Sequence, residues 1–560
     1  MYILGVNAIS GCHDSSACLI KDGMIRHFVE EERFLNFRHA FNTWPHRAIQ
    51  YCLDAEGISI DDINYIANGW DINNYRGGND IQITRELFIE KLIPKYLFSY
   101  KKAPQVFMIP HHLAHAASSF RTSGWRNAGI LVIDGEGENE SISLFISKEG
   151  NVELLETYPI KCSLGFFYES VAKYVGLKTT DAGKLMGLAS YGSANLVFND
   201  FILEDDNFNV LLNNVDLKSN ITNYNQVKSM WSKVLIDEFG PPNQSKSDFI
   251  KEMNIYVNST EFNDKYKNIA ASAQAFIEEI IMILVKRLVK STNIRRLAYA
   301  GGVALNCVAN GKILKNNLVD DLYIFPAAND AGTSVGAALE LSHRLMGESV
   351  YHHYNHSYFG PEYKNEDIEK LFNFLKIKYR KVENAARVAA ELLDQNKIIG
   401  WFQGRMEAGP RALGNRSILA NPRYYDNLTK VNKEIKFREE WRPFAPSIMY
   451  EKYKYILDEK WESPFMILSA NVKQEWCKKV PAVVHVDGST RPQTVRREDN
   501  PLYWELINAF YEKTGIPLVL NTSFNIKGRP IVCSPLDAIK AFFTSALDAL
   551  VIGNFLLLKE

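Results

Sequence analysis

The sequence predicts an α/β protein of two domains, the first of them built from two lobes by internal duplication. Three observations predict this. Two stretches of the N-terminal half follow the same pattern of strands and turns. A fresh alternation of helical and strand patterns begins near Asp367. The chain has 560 residues, well beyond the ~100–200 that one domain usually takes.

The duplicated stretches are ILGVNAISGCHDSSACLIKDGMIRHFVEEE, from Ile3, and ILVIDGEGENESISLFISKEGNVELLETYP, from Ile130. Each reads as an apolar strand, a polar turn containing Gly, a second strand, a tight hairpin and a third strand. The hairpins are Lys21-Asp22-Gly23 and Lys148-Glu149-Gly150, whose acid-Gly pairs suit positive-φ turns. A three-strand meander opening two successive lobes is how the actin-like (ASKHA) ATPase fold begins, with nucleotide held between the lobes.

Helical periodicity marks Trp44–Leu53, Leu87–Leu97 and the start of a helix at His111. Asn268–Lys290 is a long amphipathic helix carrying Ile269, Phe276, Ile280, Leu284 and Leu288 on one face. It leads into a strand, Leu297–Ala300, and a further helix follows Asp330. The polar region from Ile202 to Ser259, with GPPNQSKS inside it, reads as an insertion or lid. The Tyr- and His-rich stretch Tyr351–Tyr363 reads as an interdomain connection, its His352, His353 and His356 serving packing or surface roles. Ile398–Gln403 and Pro517–Asn525 read as strands of the last domain. The expected division is 1–345, a linker at 346–366, and 367–560.

Composition removes some function classes. There are 64 Lys and Arg against 65 Asp and Glu, with a pI near 6.9. No basic excess or tail offers itself to nucleic acid. The apolar stretch Phe276–Val289 is interrupted by Glu278, Glu279, Lys286 and Arg287, so it is expected to be too short and too charged to span a bilayer. The N-terminus reads as a strand, without the pattern of a signal peptide. Seven cysteines are scattered with no CxxC pair, as expected of a reduced, cytoplasmic protein without a zinc cluster.

Several motifs can carry chemistry. In HHLAHAA, His111 and His115 lie four apart and share a helix face on which a metal can sit; a His112–His115 pair is the competing register. Asp134 in VIDGEGE and Asp330 in FPAANDAGTS are carboxylates at strand ends that can complete the set. Iron, zinc and manganese all accept such donors. GEGE, GKLMG and AGGVALN, the last supplying Gly301, Gly302 and Asn306, are glycine turns that let backbone N–H groups approach phosphate; none is a P-loop. His13, in the first turn, can serve as a general base. The C-terminal half gathers Arg411 and Arg416, then Lys436, Arg438 and Arg442, then Arg491, then Asn521, Ser523 and Asn525. Arginine forks pair two phosphate oxygens at once, so converging loops of this kind suit phosphoryl or acyl-phosphate chemistry.

Taken in order, HDSSACLIKDG, EEERF, HHLAHAA, DGEGE, GKLMGLASYG, GGVALN, EAGPRALGNRS, WRPFAPS, RPQTV and NTSFN resemble the carbamoyltransferase family that includes the rhizobial nodulation protein U and the cephamycin and tobramycin enzymes. The resemblance implies an actin-like domain followed by an α/β YrdC-like domain, whose Lys-x-Arg and Ser-x-Asn signatures match Lys436/Arg438 and Ser523/Asn525. It implies that the C-terminal domain makes carbamoyl adenylate from carbamoyl phosphate and Mg2+-ATP. The carbamoyl group then passes to a small-molecule hydroxyl in natural-product (antibiotic) or glycan modification. It implies Fe2+ on His111, His115, Asp134 and Asp330, adenylation residues at Arg411, Arg416, Lys436, Arg442, Arg491 and Ser523, and an active-site histidine at His13. A homodimer is compatible with it. Fused tRNA threonylcarbamoyl-adenosine biosynthesis and a non-enzymatic nucleotide or sugar sensor are the rivals. A hydrogenase-maturation enzyme would carry CxxC fingers, which this chain lacks.

Overall fold

The computed structural model describes all residues except 10, 12, 75–83, 200, 206, 211–222, 245, 251–254, 260–261, 348–350 and 560, and, within strands, the side chains of 202, 246–250 and 255–259. The first lobe is built on β1 (Tyr2–Asn7), β2 (Ser16–Lys21), β3 (Met24–Glu30), β4 (Tyr65–Asn68) and β5 (Gln105–Met108). The sheet order is β3-β2-β1-β4-β5. The meander β1–β3 is antiparallel, whereas β4 and β5 join in parallel.

The second lobe repeats this plan with β6 (Ala128–Ile133), β7 (Glu140–Lys148), β8 (Asn151–Pro159), β9 (Arg296–Ala300) and β10 (Asp321–Tyr323). Its order, β8-β7-β6-β9-β10, has the same parallel and antiparallel pairings. Two sheets with one unusual topology on one chain are the signature of an actin-like domain. The hairpin turns expected from Asp22-Gly23 and Glu149-Gly150 form, with both acidic residues and both glycines at positive φ.

The lobes are held together by α1 (His111–Phe120) and α3 (Thr333–Met346), while α2 (Asp264–Thr292) backs the second sheet. Close approach requires glycine at two points. A Cβ on Gly5 of β1 would lie 1.9 Å from the Ser334 carbonyl oxygen of α3. One on Gly336 of α3 would lie 1.8 Å from the Ala114 carbonyl oxygen of α1. Small residues therefore let a helix lie almost on the sheet and on its neighbour.

The α2 helix corrects one expectation. With 29 residues, it is long and apolar enough to cross a membrane by length and composition. However, 67% of its apolar window is buried within the domain, where Leu288 packs against Gly129 of β6. Its buried face includes Ile269, Ile280, Leu284 and Leu288, as periodicity predicts, with Phe276 partly buried. The helix expected at Leu87–Leu97 runs from Arg85 to Leu92, since Pro94 disfavours helical backbone before it. Of the region expected as a lid, residues 206, 211–222, 245 and 251–254 lie outside the described set. Helix Tyr224–Phe239 packs Val227, Met230 and Trp231 into the lobe core.

The C-terminal domain is α/β around one eight-stranded mixed sheet. Its strands are β11 (Arg380–Lys381), β12 (Ile399–Phe402), β13 (Arg416–Ala420), β14 (Ala445–Met449), β15 (Gln493–Val495), β16 (Leu518–Ser523), β17 (Ala549–Ile552) and β18 (Phe555–Leu558). Their order is β11-β18-β17-β12-β13-β16-β14-β15. Local sequence sets the covering helix α4 (Pro501–Thr514): Asn500 accepts from the Tyr503 N–H, Pro501 fills the first turn and Gly515 ends it at φ 71°.

The connecting stretch bridges to each domain in turn, His353 to Ser123 and Tyr358 to Glu407. Arg405 donates to the Arg26 and Phe359 carbonyls, and Gly409 N–H donates to Glu30 of β3.

Candidate functional site

The carboxyl ends of parallel strands β4, β5, β6, β9 and β10 open toward one cleft between the lobes. This is where α/β sheets place ligands, because strand-end loops converge there. His111 and His115 enter the cleft from α1, Asp134 from the end of β6, and Asp330 from the turn before α3. All four are buried, with their donor atoms within 4.8 Å of one another. The four-apart register holds. His112 turns away, its Nδ1 lying 2.7 Å from Ser143 Oγ.

Supporting contacts fix the donor atoms. His111 Nδ1 is 2.9 Å from the Gly69 carbonyl, so it carries the proton and leaves the Nε2 lone pair facing the cluster. Trp70 stacks on the His111 ring at 3.6 Å. Glu138 accepts the His111 backbone N–H at the helix start. Gly302 N–H donates to Asp134 Oδ1 at 2.9 Å, and Gly301, at φ 93°, passes against the Ile133 carbonyl. Burial pushes the His115 imidazole down, but Asp134 and Asp330 outweigh this and raise it to about 9. Burial pushes Asp134 up, yet His115 and His111 hold it well below the carboxylate range.

The donor set fits a metal. His111 Nε2 and His115 Nε2 face each other at 3.1 Å, and His115 Nε2 is 3.0 Å from Asp134. Two imidazole nitrogens and two carboxylates aimed at one point suit a divalent transition ion. His115 Nδ1 is buried with no hydrogen-bond partner.

His13 stands at the rim, half-exposed, its Nδ1 3.0 Å from Asp14 and 3.9 Å from Asp330. The surrounding protein works against the charged ring, but Asp330 and Asp14 prevail and hold it above its ordinary value.

The C-terminal residues form a second constellation at the domain boundary. The loop bearing Arg411 is organised by Glu407, whose Oε1 accepts the N–H groups of Leu413, Asn415 and Arg416. It is wedged against the N-terminal domain: a Cβ on Gly409 would lie 2.4 Å from the Pro326 carbonyl, just before Asp330. Burial first, then Arg491, Arg442 and Arg38, depress the Arg411 guanidinium to about 9. Arg411 Nε and Arg491 Nε are buried without a partner.

Lys436 Nζ reaches Ser523 and the Asn525 side chain, and burial, with Arg438 and Arg442 beside it, pushes it well down. Arg438 donates to Asn432 at 2.6 Å and lies over Phe444. Arg442 has Glu439 at 3.8 Å. The Lys-x-Arg and Ser-x-Asn motifs thus meet in space.

Three residues singled out in the sequence sit in supporting positions. Arg416 is fully buried, stacked on Phe402 and donating to the carbonyls of Gln403, Gly404, Asn415 and Pro361. Asn521 donates to Ala412 and Ser447. Asn306 pairs with Gln274 and caps the helix that follows it.

Trp70, Arg38 and His39 were missed, since they stand in stretches without periodicity and only the fold brings them to these sites; Glu138 lies within the DGEGE motif, which was read for its glycines rather than for this carboxylate.

The chain thus carries a buried His/Asp cluster of metal-ligating residue types in its lobed domain and a gathering of cationic side chains in the domain beside it. The comparisons identify the family. Residues 2–339 match the model of the carbamoyltransferase N-terminus, and residues 390–559 that of the carbamoyltransferase C-terminus. The chain belongs to the carbamoyltransferase family, and it is a transferase rather than a sensor. Nodulation protein NolNO of Sinorhizobium fredii is 35% identical, across 98% of this chain and 79% of that protein. An uncharacterised Synechocystis protein is 34% identical, across 100% of this chain and 97% of its own length. Nodulation protein NolO of Bradyrhizobium diazoefficiens is 36% identical, across 80% of this chain and 79% of its own.

Proposed function

We propose that this carbamoyltransferase is ATP-dependent and works in two stages on one chain. The single observation that carries the first stage is the boundary cluster of Arg411, Arg491, Arg442, Arg438 and Lys436. Mutually repelling cations, half-buried apart from the buried Lys436 and two of them with buried, unpartnered Nε atoms, are costly unless an anion completes them. A triphosphate with carbamoyl phosphate is such an anion.

In this reading, carbamoyl phosphate and one water give carbamate and phosphate. A carbamate oxygen then attacks the α-phosphorus of Mg2+-ATP, and pyrophosphate leaves with the electron pair of the broken P–O bond. Lys436 and the arginines neutralise the charge at phosphorus, mostly by positioning.

The mixed anhydride, carbamoyl adenylate, then meets a hydroxyl acceptor at the cleft. The hydroxyl oxygen bonds to the carbamoyl carbon, AMP departs, and His13 Nε2 takes the hydroxyl proton. His111, His115, Asp134 and Asp330 would hold iron, which supplies Lewis-acid polarisation when bound. His13 acts as a base only when deprotonated, and a cation that neutralises Asp330 and Asp134 favours that state. The near-neutral charge supports a small-molecule acceptor over tRNA.

The test mixes purified enzyme, ATP, Mg2+ and carbamoyl phosphate without tRNA. Pyrophosphate release that requires carbamoyl phosphate is expected. Release requiring threonine and bicarbonate instead would overturn the reading.

A further inference from the structure

Between the two constellations runs the short segment Asn36–Asn42, whose backbone is unusual. Asn36, His39, Ala40 and Asn42 all have positive φ, at 54°, 65°, 42° and 55°. Such conformations cost energy for residues other than glycine and persist only where surrounding contacts impose them.

The imposing contacts are visible. Arg529, from the loop that also carries Ser523 and Asn525, donates to the Asn36 carbonyl at 3.1 Å. His39 N–H donates to Glu32 at 2.6 Å, and Asp14 N–H to the His39 carbonyl at 2.6 Å. Gly11 N–H donates to Asn42 Oδ1. One end of the segment is therefore tied to the C-terminal domain and the other to the turn bearing His13.

Its two central side chains diverge. Arg38 lies 3.7 Å from Asp181 and faces the arginine cluster, near enough that Arg411 and Arg442 both feel its charge. His39 turns the other way: its Nδ1 is 2.9 Å from Asp14 Oδ1, while Asp14 Oδ2 holds His13 Nδ1 at 3.0 Å. The Asp14 carboxylate is thus clamped between two imidazoles, and the His13 nitrogen left free is Nε2. His39 Nε2 is buried without a partner, so its task is the bond that Nδ1 makes.

We propose that Asn36–Asn42 belongs to both sites: Arg38 is a further anion-binding residue of the arginine cluster, and His39 is a positioning residue that sets His13 through Asp14. An anion held by the arginines draws Arg38 from Asp181, and the overdetermined backbone passes that movement to the adjacent His39. The inference rests on the two-site reading above, but its test needs neither turnover nor an identified acceptor.

The readout is the rate at which diethyl pyrocarbonate modifies His13 in the full-length protein, followed by peptide mass spectrometry with and without inorganic pyrophosphate. Pyrophosphate is expected to change the wild-type rate about fivefold, the lower end of common coupling between sites. Arg38→Gln weakens pyrophosphate binding about tenfold, as for loss of a charge-assisted bond. It also removes the rate response at saturating pyrophosphate. His39→Gln removes the response without weakening binding. His39→Asn restores it, because the Asn amide N–H can take the place of Nδ1–H and Asn tolerates positive φ. A wild-type rate indifferent to bound pyrophosphate, or equal responses in wild type and Arg38→Gln, would overturn the proposal. Failure of the wild type to release pyrophosphate with carbamoyl phosphate would sink the two-stage reading instead, leaving this comparison to stand or fall on its own numbers.

Discussion

The buried cleft cluster and the largely half-buried boundary cluster are both charged, yet they handle charge in opposite ways. In the cleft, two histidines face two carboxylates, and every charge has a partner within 4 Å. At the boundary, cations outnumber acids: Arg442 has Glu439 at 3.8 Å, whereas Arg411 and Arg491 each retain a buried, unpartnered Nε. Two imidazoles facing two carboxylates offer donors to a cation, whereas an excess of guanidinium and ammonium groups offers donors to an anion. In the two-stage reading proposed above, the cleft is the metal centre and the boundary the phosphate centre.

The strongest way to break this comparison is to remove one member of each. His115→Ala leaves buried Asp134 with only His111 and the Gly302 N–H, its nearest cationic partner gone. We expect transfer to fall more than ~100-fold, metal content by mass spectrometry to drop, and stability to fall by about 3 kcal/mol. Arg491→Met should have the opposite effect on stability. Relief of repulsion raises the C-terminal domain's melting temperature by about 2 °C, while pyrophosphate release slows by about 100-fold. Calorimetry and a pyrophosphate assay on both variants check the signs. Two destabilised variants would mean that the boundary arginines are structural.

A smaller effect sharpens the roles within the boundary cluster. Arg416 was legible as a phosphate ligand, but it spends its donors on four carbonyls. Arg416→Lys should lower stability by about 2 kcal/mol and leave the KM for ATP near wild type in the fraction that stays folded.

An effect confined to acid pH concerns the interface between the domains. Burial, with Arg405 adjoining, lowers the His27 imidazole to about 4, against the pull of Glu56. A histidine whose folded value lies below its unfolded value of 6.5 adds stability fully present above that value. The contribution fades as pH falls from 6.5 toward 4, because the unfolded chain takes up the proton first. Replacing His27 by Gln should flatten the melting-temperature profile over that window and leave pH 8 unchanged.

These contrasts also mark what a sequence can disclose. The paired meanders were readable because alternation and acid-Gly turns are local properties, and β6–β8 repeats β1–β3 strand for strand. The metal-type set was readable because His111 and His115 are helical neighbours, and both carboxylates end apolar runs. Arg411, Lys436 and Ser523 stood out through Gly, Pro and Asn around them. Arg416 and Asn521 carry the same local marks, and only tertiary burial reveals that they hold backbone. Arg38 and His39 carry no mark at all. The backbone of their segment is set by contacts that no periodicity announces, from Glu32 and Asp14 to His39 and from the distant Arg529 to Asn36.

The central claim is that activation and transfer are separate events at separate sites. The most direct test measures carbamoyl-phosphate-dependent pyrophosphate release by wild type, His115→Ala and Arg491→Met side by side. The account predicts that His115→Ala releases pyrophosphate as the wild type does, whereas Arg491→Met releases almost none. Loss of release in His115→Ala, with its C-terminal domain still folded, would contradict it.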